Sequence, residues 1–195
     1  MSETTVTQAH PPAADRHLDN RKLGMWIFLA SEVMLFSALI GSLLSAKAHS
    51  PATANDVLNV PVTALNTFIL IISSTTVVMA LSAAQDGAQG KLRAFLIATL
   101  ILGGTFLSIQ VIEYRSLLSE GFTPSGSLFG GAFYMVTGFH GLHVFIGLCL
   151  LLWLIPQASK GRFTPDEHMR VEVFGLYWHF VDVVWIVLFT LVYLL

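Results

Sequence analysis

Tyr177-Trp178-His179-Phe180-Val181-Asp182-Val183-Val184-Trp185 sets an imidazole and a carboxylate three residues apart in an apolar segment. On a helix that spacing puts His179 and Asp182 on one face. Glu172 and Gly175 extend the face upstream, because steps of three, four and seven residues return to one side. Two more imidazoles, His140 and His143, stand one turn apart in Gly138-Phe139-His140-Gly141-Leu142-His143, and a lone carboxylate, Glu32, lies in Ser31-Glu32-Val33. Such groups on facing helices can hold a metal, pass protons, or bond one helix to the next.

The spacing separates these chemistries. The chain has no Glu-x-x-His pair of the di-iron kind and no Cys-x-x-Cys-His for covalent haem. Its single cysteine, Cys149, excludes an intramolecular disulfide and is read as a small buried hydrophobe. Ligation by paired histidines needs imidazoles on facing helices at matching depth, which the sequence does not establish. Interhelical hydrogen bonding is therefore the expected role of His140, His143, His179 and Asp182, and no metal or catalytic residue is assigned. Glu32, at bilayer depth, has two open readings: a proton-linked or lipid-contacting group, or a neutral acid bonded between helices. Tyr114, between Glu113 and Arg115, is read as an interfacial anchor. Met25, Met34, Met79 and Met135 are read as core filler.

These side chains need elements to hold them. The chain has 195 residues, 54% hydrophobic and 11% charged, against about 25% charged for an average soluble domain. A net charge of -2 with scattered basic residues gives no case for nucleic-acid binding. Five apolar segments, at about 22–45, 61–84, 92–118, 128–156 and 171–195, each reach the roughly 20 residues that span a bilayer. A backbone without water must satisfy itself, so each is predicted to be a helix. The fold class is an all-α membrane protein: a five-helix transmembrane bundle over 21–195 behind a flexible polar tail, 1–20. His10 and His17 fall in that tail and are read as solvated. Short connections carrying Gly87, Gly121, Pro124, Gly161 and Pro165 separate the helices. Eight of ten Lys and Arg residues fall on one side; only Lys47 and Arg115 fall on the other. The positive-inside rule then places the N-terminus in the cytoplasm and the C-terminus outside. Asn66, Ser73 and Thr76, then Thr99, Gly103 and Gln110, then Gly131, Gly138 and Gly141, form small and polar faces suited to close helix contact.

The strings Gly24-Met25-Trp26, Ser31-Glu32-Val33, Leu65-Asn66-Thr67, Gln110-Val111-Ile112-Glu113-Tyr114, Thr137 to Val144, His168 with Glu172, and Tyr177 to Trp185 occur in order and reach every segment. In these the chain resembles subunit III of the haem-copper terminal oxidases, in a short five-helix bacterial form. The resemblance implies a subunit without haem or copper, packed on subunit I beside subunit II, in an aerobic respiratory complex of the bacterial cytoplasmic membrane. The redox centres then belong to the partner subunits, and phospholipid fills a cleft. It also implies support of proton uptake and protection of the active site during turnover. Glu32 matches a buried carboxylate at that lipid cleft. Glu113, His140, His143, His168, Glu172, His179 and Asp182 are candidates for a structural polar network. The longer form has two additional N-terminal helices, so the cleft would have less wall here. The cytochrome c branch is favoured by Ser31-Glu32-Val33 and by Phe139 before His140. A quinol oxidase subunit and a nitric oxide reductase-associated relative are the other members implied. Two readings outside the family are a stand-alone bis-histidine cytochrome and an ion-coupled transporter. The transporter lacks the repeated pair of broken helices expected of it.

Overall fold

The computed structural model describes residues 20–49, 60–164 and 167–194. The tail expected at 1–20, except Asn20, lies outside these residues, with His10 and His17. The described residues form α1 (Asn20–His49), α2 (Val60–Gln85), α3 (Gln89–Ser119), α4 (Leu128–Ser159) and α5 (Met169–Phe189), the last continuing as a π turn, Thr190–Leu194. All five helices are long and apolar enough to cross a membrane. The chain is thus a multi-pass membrane protein, with a span for each segment read from the sequence. The observed helices run slightly longer at most ends. α4 continues three residues past Pro156, because a proline near the last turn forfeits only one backbone bond.

The helices form a ring, α1–α4–α3–α2–α5, closed by α5 against α1 and crossed by contact between α4 and α5. This leaves α1 on one flank of the α4–α5 pair and the α2–α3 hairpin on the other. α5 is the most enclosed span and α1 the least. The α2–α3 turn is tight because Gly87 takes a left-handed φ of 70°. There the Ala88 amide closes on the Ala83 carbonyl at 2.9 Å. Ser127 starts α4 by accepting from the Gly130 amide at 2.9 Å.

Trp178 locks the bundle. Its side chain is fully buried, and its Nε1 donates to Ser73 Oγ on α2 at 3.0 Å. The ring enters a slot made by Gly103 on α3 and Gly147 on α4, where an added Cβ would lie 2.8 and 2.5 Å from ring carbons. Small residues thus bring backbones together in a medium that offers no hydrophobic drive between helices.

Several sequence expectations are corrected by burial. Cys149 is exposed on α4, not buried. Met34, Met79 and Met135 are exposed as well. Lipid is as apolar as a protein core, so hydrophobicity does not tell an outward side chain from an inward one. Tyr114 is not a peripheral anchor: it is partly buried, its hydroxyl is 2.6 Å from Thr137 Oγ1, and its ring packs on Tyr134 at 5.0 Å.

Candidate functional site

The polar groups lie in two seams on either side of the α4–α5 pair. In the first, α1 meets α4. His143 Nε2 lies 3.1 Å from Glu32 Oε2, and His143 Nδ1 lies 2.7 Å from the Phe139 carbonyl of its own helix. A carbonyl only accepts, so Nδ1 carries a hydrogen. Nε2 then either donates to a carboxylate from an imidazolium, or accepts from a carboxylic acid. Both arrangements share one proton between Glu32 and His143 and leave the pair neutral overall, which suits its depth in the span. Tyr177 on α5 joins this seam by donating to the His143 carbonyl at 2.9 Å, and Phe36 packs edge-on against the His143 ring at 5.2 Å.

Two grooves flank α1. One, of about 310 Å³, is lined by Met25, Trp153, Phe174 and Tyr177, with Arg21 and Arg170 among its walls. Arg170 Nη1 donates to Gln157 Oε1 at 2.7 Å, and its guanidinium lies 5.8 Å from the Trp153 ring centroid. Lys22 pairs with Glu172 near the same end. The other groove, of about 450 Å³, runs between α1 and α5 and is lined by Trp26, Val33, His179 and Phe180.

In the second seam, α5 meets α2 and α3. His179 Nδ1 lies 2.6 Å from Ser74 Oγ, Trp185 Nε1 donates to Thr67 Oγ1 at 2.9 Å, and Gly175 packs against Val77. Glu113 accepts from Thr63 Oγ1 at 2.8 Å and from the Tyr193 hydroxyl at 3.3 Å. The Thr67 hydroxyl donates to the Thr63 carbonyl at 2.7 Å, which links the two contacts along α2. His168 stands at the start of α5, where its carbonyl accepts from the Val171 and Glu172 amides.

Two residues depart from the bonding expected of them. His140 is fully buried and Asp182 nearly so, yet neither has a hydrogen-bond partner for its ring nitrogens or carboxyl oxygens. His140 is held by ring packing instead, stacked on Trp185 at 4.6 Å and edge-on to Phe106 at 5.8 Å. Asp182 has the Ser74 hydroxyl in range, but Ser74 bonds His179. The sequence reading missed Ser74, Thr63 and Lys22 as partners. Thr63 and Ser74 continue, in steps of three and four, the α2 face already marked by Asn66 and Ser73, and that extension was the available signal. Among the described residues no three His, Cys, Asp or Glu side chains gather as a metal-binding group.

Comparisons with known proteins identify the family. A family profile described as cytochrome c oxidase subunit III matches residues 1–195. The chain is similar to the probable cytochrome c oxidase subunit 3 of Mycobacterium tuberculosis, at 39% identity over 178 residues, covering 88% of this chain and 86% of the relative. The corresponding protein of Mycobacterium leprae is 37% identical over 203 residues, covering 99% and 98%. The cytochrome bo(3) ubiquinol oxidase subunit 3 of Pseudomonas aeruginosa is 35% identical over 178 residues, covering 90% and 85%. Matched along its whole length and to most of each relative, the chain belongs to the cytochrome c oxidase subunit III family and is subunit III of a haem-copper terminal oxidase.

Proposed function

We propose that the chain is the accessory subunit III of a proton-pumping cytochrome c oxidase in a bacterial cytoplasmic membrane. It packs directly on subunit I, with subunit II as a further partner. The haem and copper centres belong to those partners, and this chain supplies no redox group. The observation that carries the accessory role is how the ionisable side chains are used. Glu32, His143, Glu113, Glu172 and His179 each bond a different helix, so they hold the bundle together instead of converging on a substrate.

The groove bearing Arg21 and Arg170 suits a phospholipid. Its walls present only apolar surface, which suits acyl chains. The shared proton of Glu32 and His143, in the α1–α4 seam, supports a proton-linked role at the lipid-facing side. The subunit then keeps subunit I enclosed by ordered lipid, supports proton uptake, and preserves the active site during turnover. A second reading, a quinol-oxidising complex, is favoured by the similarity to a ubiquinol oxidase subunit 3.

The test is oxygen consumption against time for the oxidase with and without this chain, at equal subunit I haem. The expected result is substantial initial activity in both samples and progressive inactivation only where the chain is missing. Immediate total loss would assign chemistry to the chain, and identical time courses would limit it to assembly. Running the intact complex with reduced cytochrome c and with a quinol separates the two donors.

A further inference from the structure

The layer around His140 holds more hydrogen-bond acceptors than the protein has donors to serve. Both ring nitrogens of the fully buried His140 are without a partner. Two more buried atoms nearby share that condition, Asn66 Oδ1 and Gln110 Oε1. Asn66 is fixed in the layer by its Nδ2, which donates to the Phe106 carbonyl at 3.1 Å, while the Phe106 ring lies against His140. Gln110 stands one turn beyond Phe106, with its amide beside Gly141, where an added Cβ would be 3.2 Å from Oε1.

A neutral imidazole has one N–H and one bare nitrogen, so the four atoms comprise one donor and three acceptors. Exchanging the tautomer leaves that count unchanged. Turning the Asn66 amide over would set its oxygen against the Phe106 carbonyl. Turning Gln110 over would forfeit its donation to the Thr137 carbonyl at 3.0 Å. The neighbouring hydroxyls are already committed: Thr67 donates to the Thr63 carbonyl and Thr137 to the Phe133 carbonyl. An imidazolium would add one donor, but no carboxylate bonds His140 to balance the charge. No rearrangement of these side chains pairs every atom, and each buried polar atom left alone costs about 1–3 kcal/mol.

The geometry points to an internal water site in this layer, in which water donates to Asn66 Oδ1, Gln110 Oε1 and the bare His140 nitrogen and accepts the ring N–H. Water is the small molecule with two donors and two acceptors, and about two waters supply the missing donors. The polar run from Trp185 through Thr67 and Thr63 to the partly buried Glu113 links the layer to the bundle end that carries the α3–α4 loop.

The test uses the assembled oxidase in lipid. A density map that resolves other buried waters should show ordered water bonded to the His140 ring and to the Asn66 and Gln110 oxygens. Thermal unfolding of His140→Leu, Asn66→Leu and the double variant supplies a second readout. If water bridges the two side chains, each single change lowers the midpoint and the double change lowers it by less than the sum. A dry layer in such a map overturns the proposal. Single changes that each raise the midpoint additively overturn it as well, because they mean that removing a lone buried polar group was a gain. Should the variants fail to assemble, the map alone decides.

Discussion

Glu32 and His143, 111 residues apart in the chain, meet at 3.1 Å and join α1 to α4. α1 is the least enclosed helix, so it depends more on such contacts than the helices inside the ring. In a double-mutant cycle with Glu32→Leu and His143→Leu, the coupling energy should be about 1 kcal/mol, within the range found for polar pairs between membrane helices. Glu32→Gln should lose less than Glu32→Leu, because an amide still bonds the imidazole. The measurement is thermal or denaturant unfolding in detergent. Zero coupling would mean that the two side chains stand together without holding the helices together.

The Lys22–Glu172 pair joins α1 to α5 instead, and its side chains are 41% and 21% exposed. Solvent screens a pair this open, so Lys22→Ala should cost less than about 1 kcal/mol. The loss should shrink further when unfolding is repeated at high salt. A salt-independent loss equal to that of Glu32→Leu would show that Lys22 acts through packing of its aliphatic stem.

The uneven distribution of Lys and Arg predicts the direction of insertion. Single cysteines introduced at Asp86, in the α2–α3 turn, and at Ser125, in the α3–α4 turn, should react with a membrane-impermeant maleimide from opposite faces. The Asp86 position should label only from the cytoplasmic face. Cys149 must first be replaced, since it is exposed on a span and should react only with lipid-soluble reagents. Labelling of both positions from one side would contradict the five-span arrangement.

The legible part of this molecule is what the hydrocarbon imposes. A span must be helical, apolar and about 20 residues long, so all five helices can be read from the sequence. Inward faces are legible where polar and small residues repeat, as in Asn66, Ser73, Thr99, Gly103 and Gln110, all of them buried. Which helix a polar residue faces is a different matter. Nothing in the spacing of Glu32 selects His143 over His140, because both lie on α4 one turn apart. The choice is made by the rotation of α4 in the ring, which turns His143 toward α1 and His140 toward Phe106 and Trp185. The methionines and Cys149 went astray for a related reason, since lipid and core accept the same side chains.

Glycines offer a paired comparison. Gly103 and Gly104 are neighbours on α3, but an added Cβ at Gly103 would lie 2.8 Å from Trp178, whereas at Gly104 nothing lies within 4 Å. Gly104→Ala should therefore leave stability unchanged or raise it by up to about 1 kcal/mol, the usual preference for alanine within a helix. Gly103→Ala and Gly147→Ala should each lower it by about 1–3 kcal/mol, because Trp178 is fully buried and has no room to withdraw. Unfolding followed by tryptophan fluorescence measures both effects. Equal behaviour of Gly103→Ala and Gly104→Ala would show that the slot yields.

Asp182 gives the sharpest test of how the second seam is built. The carboxyl is buried between α5 and its neighbours, and neither oxygen makes a hydrogen bond. Ser74 is in range of it, yet the Ser74 hydroxyl also meets His179 Nδ1 at 2.6 Å. The roles in that contact decide the outcome. If His179 Nδ1–H donates to Ser74, the serine hydrogen is free to turn to Asp182; if the serine donates to the imidazole, Asp182 is left alone. The 2.6 Å contact between Ser74 and His179, with both Asp182 oxygens unpaired, leads us to expect the second case. Replacing a lone buried polar group by an apolar one of similar size is close to neutral or stabilising, so Asp182→Leu should hold or raise the unfolding midpoint. His179→Phe should lower it by leaving Ser74 unserved, and the loss should disappear in the His179→Phe/Ser74→Ala double variant. If Asp182→Leu lowers the midpoint by the equivalent of about 1–3 kcal/mol, then Ser74 serves Asp182 and the histidine donates. The direction of the Ser74–His179 hydrogen bond would then be the reverse, with the imidazole as donor.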